Sequence, residues 1–135
     1  MVLPLQEVSY QGVDNTIVQL IPRSSWAVIA PSPLMSKDVT YLPGKEGLMV
    51  TVDYPPGSSD PIHRHNAHAF VYVLEGSIVM QVRGGKEVTL TPGQTFYEGP
   101  DDVHVVGRNA SKTEPAKFVV FLVKDKGAPV VVPAQ

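Results

Sequence analysis

The sequence predicts an all-β domain, a sandwich or barrel of short strands, and three observations lead there. Apolar runs of about four to eight residues recur along most of the 135-residue chain, each closed by a turn signal. Proline and glycine are frequent, at 13 and 11, and both punctuate regular structure rather than continue it. No window of about eleven or more residues carries an i, i+3, i+4, i+7 apolar stripe, so no long helix is expected.

Residues 1–15 read as irregular. TIVQLI (16–21) is the first expected strand and stops at Pro22; WAVIA (26–30) follows and stops at Pro31-Ser32-Pro33. Trp26 is expected to anchor that strand or a subunit contact. Residues 31–46 read as irregular. LMVTVDY (48–54) ends at Pro55-Pro56-Gly57, FVYVLE (70–75) at Gly76, and SIVMQV (77–82) at Gly84-Gly85. That glycine pair between alternating runs signals a hairpin, because such turns need positive φ. EVTLT (87–91) runs into Pro92-Gly93, TFYE (95–98) meets Gly99-Pro100-Asp101-Asp102, and KFVVFLV (117–123) is the last strong run. The tail 127–135 reads as a short edge segment limited by its prolines. With no repeat and no low-complexity linker, the chain is one domain over 1–135. Its core spans about 46–124, between N-terminal strands and loops (1–45) and a C-terminal tail (125–135).

Composition excludes several classes. The chain is 43% hydrophobic, too apolar for disorder. Its net charge is −2 with both signs scattered, so the basic patch of a nucleic-acid binder is missing. The longest apolar stretch, 118–123, is far short of the ~20 residues of a membrane helix, and no membrane partner is expected. MVLPLQEVSYQG has no charged segment followed by an apolar one, so a cytoplasmic protein without a signal peptide is expected. Zero cysteines exclude disulfides, thiolate metal sites and cysteine nucleophiles.

The four histidines carry the chemistry. His63, His65 and His68 fall within six residues, and His104 is the other. Pro61 biases the first cluster toward extended backbone. On a strand, residues i and i+2 share a face, so His63 and His65 project together. Neutral imidazole is the commonest metal ligand near physiological pH. His104, opening the apolar run His104-Val105-Val106 after a turn, is the natural third ligand.

Two stretches resemble the motifs of the cupin superfamily. The first is Gly57, five residues, then His63-Arg64-His65, continuing to Tyr72-Val73-Leu74-Glu75-Gly76. The second is Pro92-Gly93, then Phe96-Tyr97-Glu98-Gly99-Pro100 and His104, with Asn109 close behind. The resemblance implies a double-stranded β-helix, a jelly-roll barrel with a metal at its mouth, in a small single-domain cupin that forms homodimers. Exposed edge strands such as TIVQLI and the VVV tail invite the same pairing. Two departures stand out. Four residues after His65 the family usually has Glu; here the slot is Ala69, with His68 one residue earlier. On a regular strand His68 faces away, to line the pocket mouth or meet solvent, and a bulge or loop would be needed to make it a fourth ligand. The turn at Gly99-Pro100-Asp101 also replaces the family's Pro-x-Gly. With the carboxylate missing, three neutral imidazoles leave a divalent ion's charge uncompensated, which favours anionic ligands.

The expectation is therefore a metal-dependent enzyme whose divalent ion (Fe, Zn, Cu, Ni or Mn) is held by His63, His65 and His104 and binds a small, anionic organic substrate. Resemblance to cupin dioxygenases favours O2-dependent oxidation of a chelated substrate, while Zn or Ni suits isomerisation, decarboxylation or lyase chemistry. A metal-free epimerase with a His base and Tyr acid, and a non-catalytic binding cupin, are the alternatives. Tyr97, Glu98 and His68 are candidate catalytic groups. Glu98, Asn109 and Asp60 are candidate acceptors for the ligands' second N–H. Tyr72, Tyr97 and Phe96 can line the pocket, Met49 and Met80 read as core filler, and Asp101 and Asp102 as solvated turn residues. No GxSxG elbow, phosphate loop or dinucleotide fingerprint is present.

Overall fold

The computed structural model describes the backbone of residues 5–9 and 17–22 and, with side chains, residues 31–135. Every regular element among the described residues is a strand, and among them no helix is long and apolar enough to cross a membrane. β1 (Leu5–Ser9) and β2 (Ile17–Pro22) pair antiparallel as a two-stranded sheet. The expected strand at 26–30 and Trp26 lie outside the described residues.

Two five-stranded antiparallel sheets make the body. One contains β3 (Ser32–Asp38), β4 (Lys45–Tyr54), β6 (His68–Glu75), β9 (Thr95–Glu98) and β11 (Ala116–Asp125), in the order β3-β4-β11-β6-β9. The other contains β5 (His63–Arg64), β7 (Ile78–Val82), β8 (Val88–Leu90), β10 (His104–Asn109) and β12 (Val132–Pro133), in the order β12-β5-β10-β7-β8. From β4 onward each strand is followed by one in the opposite sheet, except at the β7–β8 hairpin, as expected of a jelly roll.

β11 explains the first sheet. Its ten residues pair with β4 without slippage from Ala116↔Tyr54 to Asp125↔Lys45 and with β6 on its other edge. Strict alternation sends Phe118, Val120 and Leu122 into the core, where they meet Val50, Val71 and Met80. Tyr54 packs edge-on against Phe118 at 5.0 Å between ring centroids.

Two segments expected to be irregular contain strands. Residues 1–15 include β1, and residues 31–46 include β3. β3 lacks an alternating pattern because it is an edge strand: it tolerates Pro33, shifts register between Pro33 and Met35, and takes its order from the long neighbour β4. The glycine hairpin forms as expected, with Gly84 at φ 83° and β7 paired to β8. Gly76, at φ 69°, turns β6 into β7 where a Cβ would lie 2.4 Å from the Pro115 carbonyl oxygen. The tail's β12 pairs at the sheet edge with β5.

Asn109 ties the loops beneath the barrel. Its buried Nδ2 donates to the carbonyls of Tyr54, Pro55 and Glu114, and its Oδ1 accepts from the Ser111 amide. This is its observed task, in place of a role as acceptor for a histidine.

Candidate metal centre

Three segments bring His63, His65, Glu98 and His104 together. Pro61 keeps the entering chain extended, and β5 is held between β10 and β12 with His63 opposite both His104 and Pro133. His65 follows directly, before Asn66 adopts φ 49° and redirects the chain toward β6. Glu98 ends β9, and its partner across the ladder is Ala69. Each of the four offers one donor atom to a cluster in which all four atoms lie within 4.8 Å of one another.

The hydrogen bonds orient the donors. His63 Nδ1 lies 2.8 Å from the Pro61 carbonyl and His65 Nδ1 2.8 Å from the Val130 carbonyl. A carbonyl only accepts, so each Nδ1 carries the hydrogen. For neutral rings, both Nε2 lone pairs then face inward, 3.2 Å apart. His104 Nδ1 stands 3.1 Å from His63 Nε2 and 3.0 Å from Glu98 Oε1, while His65 Nε2 is 3.5 Å from Glu98 Oε2. Lone pairs and a carboxylate converging at such distances require a proton or a cation among them. Metal–ligand bonds of about 2.1 Å place adjacent donors about 3.0–3.4 Å apart at octahedral or tetrahedral angles, so the spacing suits a metal ion.

Burial pushes the His63 pKa down to about 3, helped by repulsion from His65 and His104. Burial acts the same way on His65, but hydrogen bonding to Glu98 and its charge outweigh it and raise this ring's pKa. Burial would raise Glu98, yet bonds from His104 and His65 hold it well below the usual carboxylate range. It is a buried carboxylate committed to its charge. Solvent reaches the cluster mainly at His65, whose side chain is 13% exposed against 3% and 4% for His104 and Glu98.

Beside the cluster is a cavity of about 40 Å³, walled by Val50, Val71, Met80, Phe118, Val120 and Leu122. That is room for about three waters. Asp60 and Tyr54 supply its polar wall together with the cluster. The Tyr54 hydroxyl donates to Asp60 Oδ2, and Asp60 Oδ1 is buried without a hydrogen-bond partner. Burial outweighs the bond from Tyr54 and lifts the Asp60 pKa to about 6. Tyr54 is raised well above its ordinary value by burial and by Asp60.

The structure thus brings together His63, His65 and His104 as the spacing suggests, and it changes several other expectations. A carboxylate is present, because Glu98 turns inward on β9. His68 is exposed on the opposite face of β6, as a regular strand places it, with its Nδ1 2.6 Å from the Tyr97 hydroxyl, so it does not join the cluster. Tyr97 is likewise on the outer face, with Tyr72, while Phe96 packs inward near His104. Met80 is core, but Met49 lines a hollow on the outer face. Asp102 is partly buried and caps the Gly99 amide at 2.6 Å. Tyr54 escaped the sequence reading; its place at the end of an alternating apolar strand was the available signal.

A family model described as "Cupin domain" matches residues 50–122. Comparison with curated proteins gives no match. Among solved structures, the chain is similar to a double-stranded β-helix protein from Klebsiella pneumoniae, with 20% identity, TM-score 0.56, and coverage of 77% of this chain and 85% of that one. It is similar to an oxalate oxidase in complex with the substrate analogue glycolate, with 26% identity and TM-score 0.59, matching 77% of this chain and 54% of the oxidase. The DMSP lyase DddQ from Ruegeria pomeroyi is 18% identical with TM-score 0.65 over 98% of this chain and 61% of that one.

Proposed function

The chain belongs to the cupin domain family, and from that premise we propose that it is a metal-dependent enzyme acting on a small organic anion. The inward-facing nitrogens of His63 and His65, 3.2 Å apart beside the Glu98 carboxylate, are the observation that carries this reading. His63, His65, His104 and Glu98 would hold one divalent ion of the set Fe, Zn, Cu, Ni or Mn. A redox-active ion there supplies O2-dependent oxidation of a chelated substrate, and a redox-inert one supplies Lewis-acid polarisation. Three neutral imidazoles and one carboxylate leave a net positive site, which attracts an anion. Apolar walls then exclude water from its far side.

O2-dependent oxidation, dioxygenase chemistry included, is the favoured reaction. The likeness to an oxalate oxidase bound to glycolate supports it and points to a carboxylate-bearing substrate of a few heavy atoms. A second reading, proton-transfer lyase or isomerase chemistry, is supported by Asp60 and Tyr54. Asp60 lines the cavity, its Oδ1 has no hydrogen-bond partner and Tyr54 holds its Oδ2, which supports proton exchange between this carboxyl and a bound substrate.

Metal analysis of protein purified without added metal is the test. Wild type is expected to hold about one divalent ion per chain, and His63→Ala, His104→Ala and Glu98→Gln to lose most of it. Wild type that stays empty after soaking with Fe, Zn, Cu, Ni and Mn refutes the proposal. Oxygen uptake with oxalate, glycolate, 1,3-dicarbonyl, catechol and flavonol compounds then separates oxidation from lyase chemistry.

A further inference from the structure

The cavity beside the cluster is smaller than the substrates proposed for it. About 40 Å³ is room for about three waters, and a molecule the size of oxalate or glycolate exceeds that. A wall has to move for such a ligand to bind, and the walls differ in how firmly they are held.

β4 and β11 line the cavity with Val50, Val52, Phe118, Val120 and Leu122, and an unbroken ladder joins these two strands from end to end. β6 and β7 each have a ladder neighbour on both sides. The segment 127–135 is held differently. It contributes Val130 and Val131 to the wall, both buried, yet its strand β12 lies at the sheet edge and has only Val132 opposite Arg64 and Pro133 opposite His63. Proline has no N–H to give to that ladder. Beyond it, the Ala134 amide donates to the Ile62 carbonyl at 3.3 Å and the Arg83 guanidinium to the Gln135 carbonyl at 2.7 Å. Few bonds break when so short an edge strand lifts, and such segments open locally at far lower cost than the domain unfolds.

A pivot stands at the start of the segment. The Ala128 amide closes a turn onto the Asp125 carbonyl at 3.1 Å, with Gly127 at φ 76° inside it. A Cβ at Gly127 would meet nothing within 4 Å, so the chain can swing there without striking a neighbour.

The segment also holds a functional side chain. The Val130 carbonyl accepts from His65 Nδ1 at 2.8 Å, and that bond is what turns the Nε2 lone pair inward. His65 is in turn the member of the cluster that solvent reaches most. Lifting the segment therefore uncovers the cavity and frees His65 in one motion.

We propose that residues 127–135 are the lid of this site. They swing at Gly127 to admit a small anion, and on closing they return Val130 and Val131 to the cavity wall and the Val130 carbonyl to His65. The identity of what enters rests on the proposed function; the opening is a property of the chain itself and is measurable without metal.

Amide hydrogen exchange of the metal-free protein is the first test. Amides of residues 130–134, Pro133 aside, are expected to exchange about 100-fold or more faster than those of 118–123 in β11, as for a local opening. Exchange no faster than in β11 overturns the lid. The second test locks and loosens it. Arg64 and Val132 are paired across an antiparallel ladder, at a Cα separation of about 4.5–5.5 Å that a disulfide spans, and the chain has no other cysteine. In the oxidised Arg64→Cys, Val132→Cys variant, exchange at 130–134 is expected to slow about tenfold or more, and reduction to restore it. Transfer of bound zinc to an excess of an aminocarboxylate chelator, itself a carboxylate-bearing anion, is expected to slow and recover in step. Gly127→Val strains the closed turn at its positive φ and is expected to speed both processes about tenfold. Zinc transfer that is equally fast in the oxidised and reduced forms overturns the lid. If the chain holds no zinc, the proposed function fails, and the exchange rates alone then uphold or overturn the lid.

Discussion

Gly107→Ala is the sharpest probe of the centre, because its whole effect falls on two functional side chains. Gly107 lies within β10 and is not among the residues at positive φ, so the backbone accepts alanine there. A Cβ would stand 2.9 Å from His104 Cε1, 3.0 Å from His104 Nε2 and 3.1 Å from Asp60 Oδ2. Ordinary carbon contacts lie at about 3.5–4.0 Å, so the ring must move by roughly 0.5–1 Å. His104 is buried, and its Nδ1 already stands 3.1 Å from His63 Nε2 and 3.0 Å from Glu98. Metal ligands tolerate only about 0.2 Å. The expected result is a loss of about 10–100-fold in metal affinity, as for a disturbed ligand support, with an overpacking cost of about 1–3 kcal/mol. Chelator competition measures the first, and thermal unfolding of the metal-free protein the second, as a fall in Tm of roughly 4–12 °C. If Tm falls while metal affinity stays at the wild-type value, His104 is not a ligand and the assignment of the centre fails.

Asp60 folds with its pKa raised from 3.8 to about 6, so the native state takes up a proton that the unfolded chain has released. Its contribution is complete below pH 4 and is lost as pH rises through 6, by up to roughly 3 kcal/mol. Urea unfolding of the metal-free protein between pH 4.5 and 7.5 is therefore expected to show wild type losing stability relative to Asp60→Asn; parallel profiles would contradict the assignment. For Asn109, the Ala variant is expected to cost about 2–4 kcal/mol by stranding buried backbone groups. The nearly isosteric Asn109→Asp should cost more, because its carboxylate would face three carbonyls; an Asp variant more stable than the Ala variant in denaturant melts would disprove that hydrogen-bond pattern.

How much of the fold could be read from the chain depended on where each strand sits. β4, β6, β7 and β11 have two ladder neighbours or a buried face, so alternation and turn residues mark them within a few positions. β3 owes its order to β4, and its proline and register shift erase the period that a sequence reading looks for. The outer face was missed for a related reason. FVVFLV marks a strong strand, and its apolar residues on both faces put Phe121 and Val119 outside the barrel as well as Phe118, Val120 and Leu122 inside it. The outward pair belongs to a surface outside the barrel and becomes visible only once inside and outside are assigned.

The centre shows the same division. The i, i+2 spacing of His63 and His65 and the position of His104 after a turn are local patterns, and they were legible. The carboxylate was not, because it was sought along β6, at Ala69, where the family usually carries it. Ala69 and Glu98 are directly paired on the inner faces of β6 and β9, so their side chains share one patch of the barrel wall. A methyl at Ala69 leaves room for the neighbouring strand's longer side chain to reach His65 and His104. The negative charge has moved sideways by one strand, about 4.8 Å, while remaining on the cluster. Alternation in TFYE held the clue, since an inward Phe96 implies an inward Glu98 two residues later. The loss of a ligand from its usual slot is thus an argument about the cross-strand neighbour as much as about the slot. The corrected donor set also changes the chemistry expected of the site: one carboxylate lowers the net charge of a bound divalent ion and weakens its hold on anions relative to three imidazoles alone. On the proposed reading, selectivity would then rest on the apolar walls, Asp60 and Tyr54 as well as on charge.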